Sequence, residues 1–230
     1  MSRIIFIALL TAALTASAAG PATGWVESAR AQFACTHTCP PPVGAIDGRF
    51  VVPPNPVTPS GDVLFFIGAQ PNDASSIVQT VLQFKAGGWT VANVQNFGVG
   101  KPQHSSNAIQ ALAGDTITTS ISCQCRPDGT KCTCDLAATN LRTNETAASP
   151  LPQVTISSPL TSVYGGVLEV DHLAGCAALP PSHSIKFTST IKDTAGKELK
   201  PSRWITRRYN IGVKCNFAVE GQGDTVTLSW

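Results

Sequence analysis

The chain of 230 residues sets 16 Lys and Arg against 14 Asp and Glu, a formal charge of +2, with 43% hydrophobic and only 13% charged residues. Soluble domains usually hold about 25% charged residues, so neutral polar side chains, Gly and Pro must cover much of this surface. The near-neutral balance excludes the basic footprint of a nucleic-acid-binding domain, and 19 Gly with 17 Pro are too few for a collagen-like or low-complexity chain.

At the N-terminus, Arg3 precedes an apolar run over 4–14 and the small-residue site Ala16-Ser17-Ala18. That order reads as a signal peptide over 1–18, so the protein is expected to be secreted and extracellular, with no membrane association after cleavage. Residues 19–60 form a Pro-rich N-terminal segment, with Pro40, Pro41, Pro42, Pro53, Pro54, Pro56 and Pro59 favouring extended, non-helical chain. From 61 to 230 a single β-sandwich domain is expected. Period-2 or β-branched runs recur at 62–68, 76–84, 89–97, 115–124, 131–140, 153–158, 163–173, 184–192, 208–219 and 225–230, separated by turn residues. Ten such runs with no amphipathic helix predict an all-β, two-sheet antiparallel sandwich or jelly roll. A monomer is expected.

Eight cysteines follow the signal segment, and an oxidising compartment favours disulfides. Cys123, Cys125, Cys132 and Cys134 are symmetric about Asp128-Gly129, a dipeptide suited to a hairpin turn. Centring the turn there sets Cys125 opposite Cys132 and Cys123 opposite Cys134, so a disulfide-rich hairpin with two rungs is expected. Four thiols could instead hold zinc, but C-x-C is not the usual C-x₂₋₄-C spacing; no metal and no cofactor are expected. Cys35, Cys39, Cys176 and Cys215 remain open, as does His37 between the first two. Asn144-Glu145-Thr146 is an N-glycosylation sequon in a loop-like context.

Side-chain parity singles out one face. Along 76–84, Val78, Thr80, Leu82 and Phe84 make the apolar side, which turns Gln79 and Gln83 the other way. Trp89, Val91, Asn93, Gln95 and Phe97 share one side of the next run, and Val167, Glu169, Asp171 and Leu173 share a side further on. If these sides coincide, amides, carboxylates and an aromatic ring line a groove for a polypeptide or a glycan. The alternative is an ordinary polar solvent face.

At these residues the chain resembles the secreted glutamic peptidases, or eqolisins. The run Ile77-Val78-Gln79-Thr80-Val81-Leu82-Gln83-Phe84, following Val63-Leu64-Phe65-Phe66-Ile67-Gly68, resembles that family's glutamine strand. Leu168-Glu169-Val170, with Ile185-Lys186-Phe187-Thr188 after it, resembles the glutamate strand, and Ala113-Gly114-Asp115 a recurrent turn. The resemblance implies a concanavalin-A-like sandwich and an acid endopeptidase dyad: Glu169 as general base on water, Gln79 as amide donor to the oxyanion. Phe65, at the position of the family's substrate-side Trp, and Gln83, Trp89, Asn93 and Asp171 of the groove face are the expected substrate-binding residues. The sequence departs from the pattern at Phe65 and Val170, where the family carries Trp, and at Ala69, where it carries Asp. Glu169-Val170-Asp171 also resembles the start of the retaining glucanases' E-x-D-x-(x)-E strand, without its third carboxylate. A non-catalytic, lectin-like binding protein using the same face is the competing reading. His104, His172 and His183 lack metal-ligand spacing, and Lys200, Arg203, Arg207 and Arg208 form a small basic cluster near Trp204 that an acidic glycan could use.

Overall fold

Alternation of apolar and polar side chains produces two antiparallel sheets packed face to face. The computed structural model describes residues 21–34, 42–98, 101, 103–126, 131–148 and 154–230. The leader at 1–18, Cys35, His37 and Cys39, and the Asp128-Gly129 turn lie outside the described residues.

In the first sheet the order is β15 (Pro201–Arg208), β1 (Ala22–Phe33), β12 (Leu160–Leu173), β3 (Asp62–Pro71), β4 (Ile77–Lys85) and β5 (Gly88–Asn96). The short β6 (Gln103–Ser105) and β7 (Ile109–Ala111) share the free edge of β5. The second sheet runs β16 (Ala218–Gln222), β17 (Thr225–Ser229), β13 (Ser184–Asp193), β2 (Val43–Val51), β8 (Thr116–Cys125) and β9 (Cys132–Asn140). Its edge is completed by β10 (Glu145–Ala148) and β11 (Val154–Ile156), while β14 (Glu198–Leu199) folds back on the end of β13. A single pairing of Leu160 with Val43 links the sheets.

Between them lies one core. Val78, Leu82 and Phe84 enter it from β4, Phe65 and Ile67 from β3, and Ile46, Phe50, Ile117 and Phe187 from the second sheet. Phe65 stacks on Trp230 at 5.3 Å, and Phe50 packs on Phe187 at 5.4 Å between ring centres. Each such side chain contributes about 1.5–3 kcal/mol by leaving water. The polar link across the core is Asn93, which accepts from Thr80 Oγ1 at 2.8 Å and donates its amide to the Ala147 carbonyl of β10.

Two of the expected disulfides are present: Cys123–Cys134 and Cys125–Cys132 join directly paired residues of β8 and β9. A third, Cys176–Cys215, settles the pairing of the two late cysteines.

The segment 19–60 is not a preface to the sandwich. It contains β1, held between β12 and β15, and β2, held between β13 and β8. Among the described residues the prolines do not interrupt these strands: Pro42 precedes β2, and Pro53 and Pro54 follow it. The run 208–219 is likewise not one strand. After Arg208 the chain leaves the sheet, is tied down at Cys215, takes a positive φ of 56° at Asn216 and re-enters as β16.

Candidate functional site

The outer face of the first sheet carries the site, and its rungs can be followed across the strands. One rung runs Trp25, Glu169, Leu64, Gln83, Thr90. The next runs Ser28, Val167, Phe66, Val81, Ala92, and a third Arg30, Tyr164, Gly68, Gln79, Val94. A cleft of about 260 Å³ opens over β4 and β5, lined among others by Gln79, Gln83, Thr90, Ser105 and Glu169.

Its floor is an apolar cluster of Phe66, Val81, Val94, Tyr164 and Val167 with Trp25 and Leu64 packed against it. Trp25 is the hub, meeting Phe66 at 5.6 Å, Tyr164 at 5.3 Å and Tyr209 at 6.1 Å edge to face.

Gln79 is only 6% exposed, yet its Oε1 has no hydrogen-bond partner. Leaving a buried amide oxygen unpaired costs about 1–3 kcal/mol. Gly68, beside it in the rung, makes room: a Cβ there would lie 2.8 Å from the Gln79 Cβ and from the Val78 carbonyl. The Gln83 amide is committed, donating to Asp62 Oδ2 at 2.9 Å, where Lys85 also donates at 2.9 Å. Burial raises the pKa of Glu169, hydrogen bonding from Trp25 lowers it, and the charge of Asp171 raises it further. Asp171 sits at the end of its strand, half exposed, accepting from Thr23 Oγ1 at 3.1 Å with the His172 ring 3.6 Å away.

The register sets Gln79 and Glu169 apart. They stand on β4 and β12 with β3 between, and their rungs meet β3 at Gly68 and Leu64, four residues apart. At about 4.8 Å per strand and 3.3 Å per residue their Cα atoms are about 16 Å apart. Side chains standing straight up from the sheet at that separation do not touch, although both line the same cleft. The β12 residue in the rung of Gln79 is Tyr164, which brings a phenol where a shared water would need a carboxylate.

Three residues expected to touch substrate face the other way. Phe65, Trp89 and Asn93 are 0%, 1% and 0% exposed and point between the sheets. On β5 the parity is the reverse of the one supposed: Thr90, Ala92, Val94 and Asn96 face the cleft, while Gln95 donates to the Thr155 carbonyl across the sandwich. On β3 it is Phe66, not Phe65, that reaches the site. Trp25, Tyr164, Tyr209 and Arg30 were missed. Trp25 and Arg30 belong to the segment read as Pro-rich and extended, and Tyr164 and Tyr209 to expected strands in which they were not singled out, although Trp25 in an alternating run was a usable signal.

Ala113-Gly114-Asp115 forms a built turn. Asp115 accepts from Leu112 N at 2.8 Å, Asn140 Nδ2 at 2.7 Å and the Arg142 guanidinium, which holds its carboxyl far below the usual carboxylate range. Asn144 lies on the exposed turn between β9 and β10 with a positive φ of 57°.

Among solved structures the chain is similar to Scytalido-glutamic peptidase with a peptide-based transition state analog, at 14% identity and a TM-score of 0.59, covering 90% of this chain and 98% of that one. A second structure of that peptidase, with a transition state analog inhibitor, matches equally. SCP-B, a member of the eqolisin family in a complex with the tripeptide Ala-Ile-His, matches at 16% identity and a TM-score of 0.56, with the same coverage. The chain has the glutamic-peptidase fold. No protein-family model and no curated protein matches it. At this identity the glutamic-peptidase likeness reaches the sandwich and its strand order; the side chains of the cleft have to be argued from their own positions.

Proposed function

We propose that this protein is exported and binds extended polypeptide across the cleft of its glutamic-peptidase-like sheet, without hydrolysing it through a Gln79–Glu169 pair. The observation that carries this reading is the unpartnered amide oxygen of Gln79, on a side chain that lines the cleft. A primary amide offers one acceptor and two donors, a match for the N–H and C=O of a passing peptide backbone. The neighbours of the same fold that hold peptide ligands support the choice of ligand class. The apolar floor around Phe66 and Val81 supplies burial for side chains on one side of such a ligand.

Fluorescence anisotropy with labelled, unfolded casein peptides tests this. Wild type is expected to bind and Gln79→Ala to bind at least tenfold more weakly at unchanged melting temperature. Equal affinities, or binding of a glycan array with no peptide binding, would overturn it.

Hydrolysis is the second reading, favoured by the presence of Glu169 and Gln79 in the lining of one cleft. Casein digestion between pH 2 and 7 decides between them. Under the binding reading, wild type and Glu169→Gln leave the substrate equally intact; cleavage by wild type that Glu169→Gln abolishes establishes the peptidase.

A further inference from the structure

We propose that the pocket at the β1–β15 end of the same face is a carboxylate subsite, making acidic polypeptides the preferred ligand class. The inference rests on the polypeptide-binding reading and specifies what the ligand carries.

Six residues line this pocket: Ser28, Arg30, Tyr164, Ile205, Arg207 and Tyr209. The register brings them together, since Ser28 pairs with Arg207, and Arg30 with both Ile205 and Tyr164. Its volume is about 30 Å³, room for one small polar head and not for a ring. Two guanidiniums and three hydroxyls surround it. Ser28 Oγ and Tyr209 Oη are in mutual contact at 3.4 Å.

No ion pair among the described residues includes Arg30 or Arg207. Glu169, Asp171 and Asp62 stand toward the other end of this face, and Glu220, which lines the adjoining cleft with Arg207, makes no salt bridge to it. Arg203 adds a third guanidinium in the next rung, donating to the side-chain amide oxygen of Gln32. Both Arg30 and Arg207 act on the Tyr164 hydroxyl from across the pocket, pulling its pKa down against the burial that raises it. Paired guanidiniums with hydroxyl donors suit a carboxylate, which accepts bidentate hydrogen bonds in a plane.

Placement gives the pocket its role. Arg30, Tyr164, Gly68 and Gln79 occupy one rung, three strand steps from end to end, about 14 Å. An extended peptide advances about 3.4 Å per residue, so a ligand lying across the strands with its backbone on Gln79 delivers a carboxylate to Arg30 about four residues away. That carboxylate is an Asp or Glu side chain or the chain's own C-terminus.

The test uses the full secreted chain and three fluorescein-labelled, Ala/Ser-based octapeptides. One has a single Asp and an amidated C-terminus, one has Asn in its place and an amide, and one has Asn and a free C-terminal carboxylate. The Asp peptide, the free acid, or both are expected to bind at least tenfold tighter than the neutral amide. The advantage should shrink between 50 and 500 mM salt and disappear in Arg30→Gln and Arg207→Gln, while Arg30→Lys keeps part of it. Which acid gains identifies the source of the carboxylate. Trp25 emission should change on binding, because its ring touches both pocket tyrosines. Equal binding of all three peptides, or an acid preference that survives both Gln variants, overturns the subsite and leaves the polypeptide reading standing. No binding of any peptide, with or without binding of polygalacturonate, overturns both.

Discussion

Glu27 is the most costly side chain in the molecule. It is fully buried on the core side of β1, and neither carboxyl oxygen has a hydrogen-bond partner of good geometry. Burial lifts its pKa to about 8, with the Ser229 backbone and the charge of Arg208 pulling only weakly the other way. An unfolded chain releases this proton near pH 4.5, whereas the folded one holds it to about 8. Between those values the native state binds the extra proton, so its contribution to stability is complete below pH 4.5 and is lost as pH rises toward 8. The expected loss is a few kcal/mol, from about 1.4 kcal/mol per pH unit of separation. Urea midpoints of Glu27→Gln should match wild type at pH 4 and exceed it at pH 8; parallel curves for the two proteins would show that Glu27 is not the source. Gly68→Ala should act through Gln79, pushing its side chain off the cleft. Anisotropy should record weaker peptide binding in that variant than any loss of stability explains.

Among the elements, the hairpin and the late disulfide differ in what they hold. Cys123–Cys134 and Cys125–Cys132 close short separations of 11 and 7 residues within an already paired β8–β9 ladder, whereas Cys176–Cys215 spans 39 and anchors the excursion between β15 and β16. On loop entropy the last is worth about 4 kcal/mol and each hairpin rung, taken alone, about 2.5–3. Replacing Cys176 and Cys215 by Ser should therefore lower the denaturation midpoint more than removing either hairpin rung, as urea unfolding would measure. Asn93→Ala should cost about 1–3 kcal/mol by stranding the Thr80 hydroxyl and the Ala147 carbonyl. The hairpin was legible because its symmetry about Asp128-Gly129 is a local property. The strand at 76–84 was legible because its apolar side is unbroken. β1 was not, since Glu27, Ser28 and Arg30 hide a central strand behind polar letters, and the parity of β5 was reversed by a buried amide. Both errors involve a polar residue placed inside, Glu27 in β1 and Asn93 in β5, where only the neighbouring sheet explains it.

Across the whole molecule two opposite titrations meet. Asp115 keeps its charge because Arg142 and Asn140 stabilise the anion, so its contribution is present above the ordinary carboxylate range and fades as pH falls below about 4. Glu27 and Glu169, both raised by burial, contribute in the reverse sense. The protein is therefore expected to be most stable in mildly acid solution, near pH 4–5. A set of melting curves from pH 2 to 9 checks this, and a maximum at or above pH 7 would contradict it. Asp115→Asn should flatten the acid limb alone. The antiparallel sandwich followed from strand count and turn spacing, but which side chains share a rung depends on pairings between residues over a hundred positions apart. β1 makes that distance plain, lying in mid-sheet between β12 and β15. A chain made from its N-terminus must hold this opening strand single until β12 has followed, and with one neighbour only until β15 ends at Arg208, so the cleft-bearing sheet cannot close on a shorter chain. Any factor that shields the early segment until then would be holding, in effect, an inner plank of the finished floor.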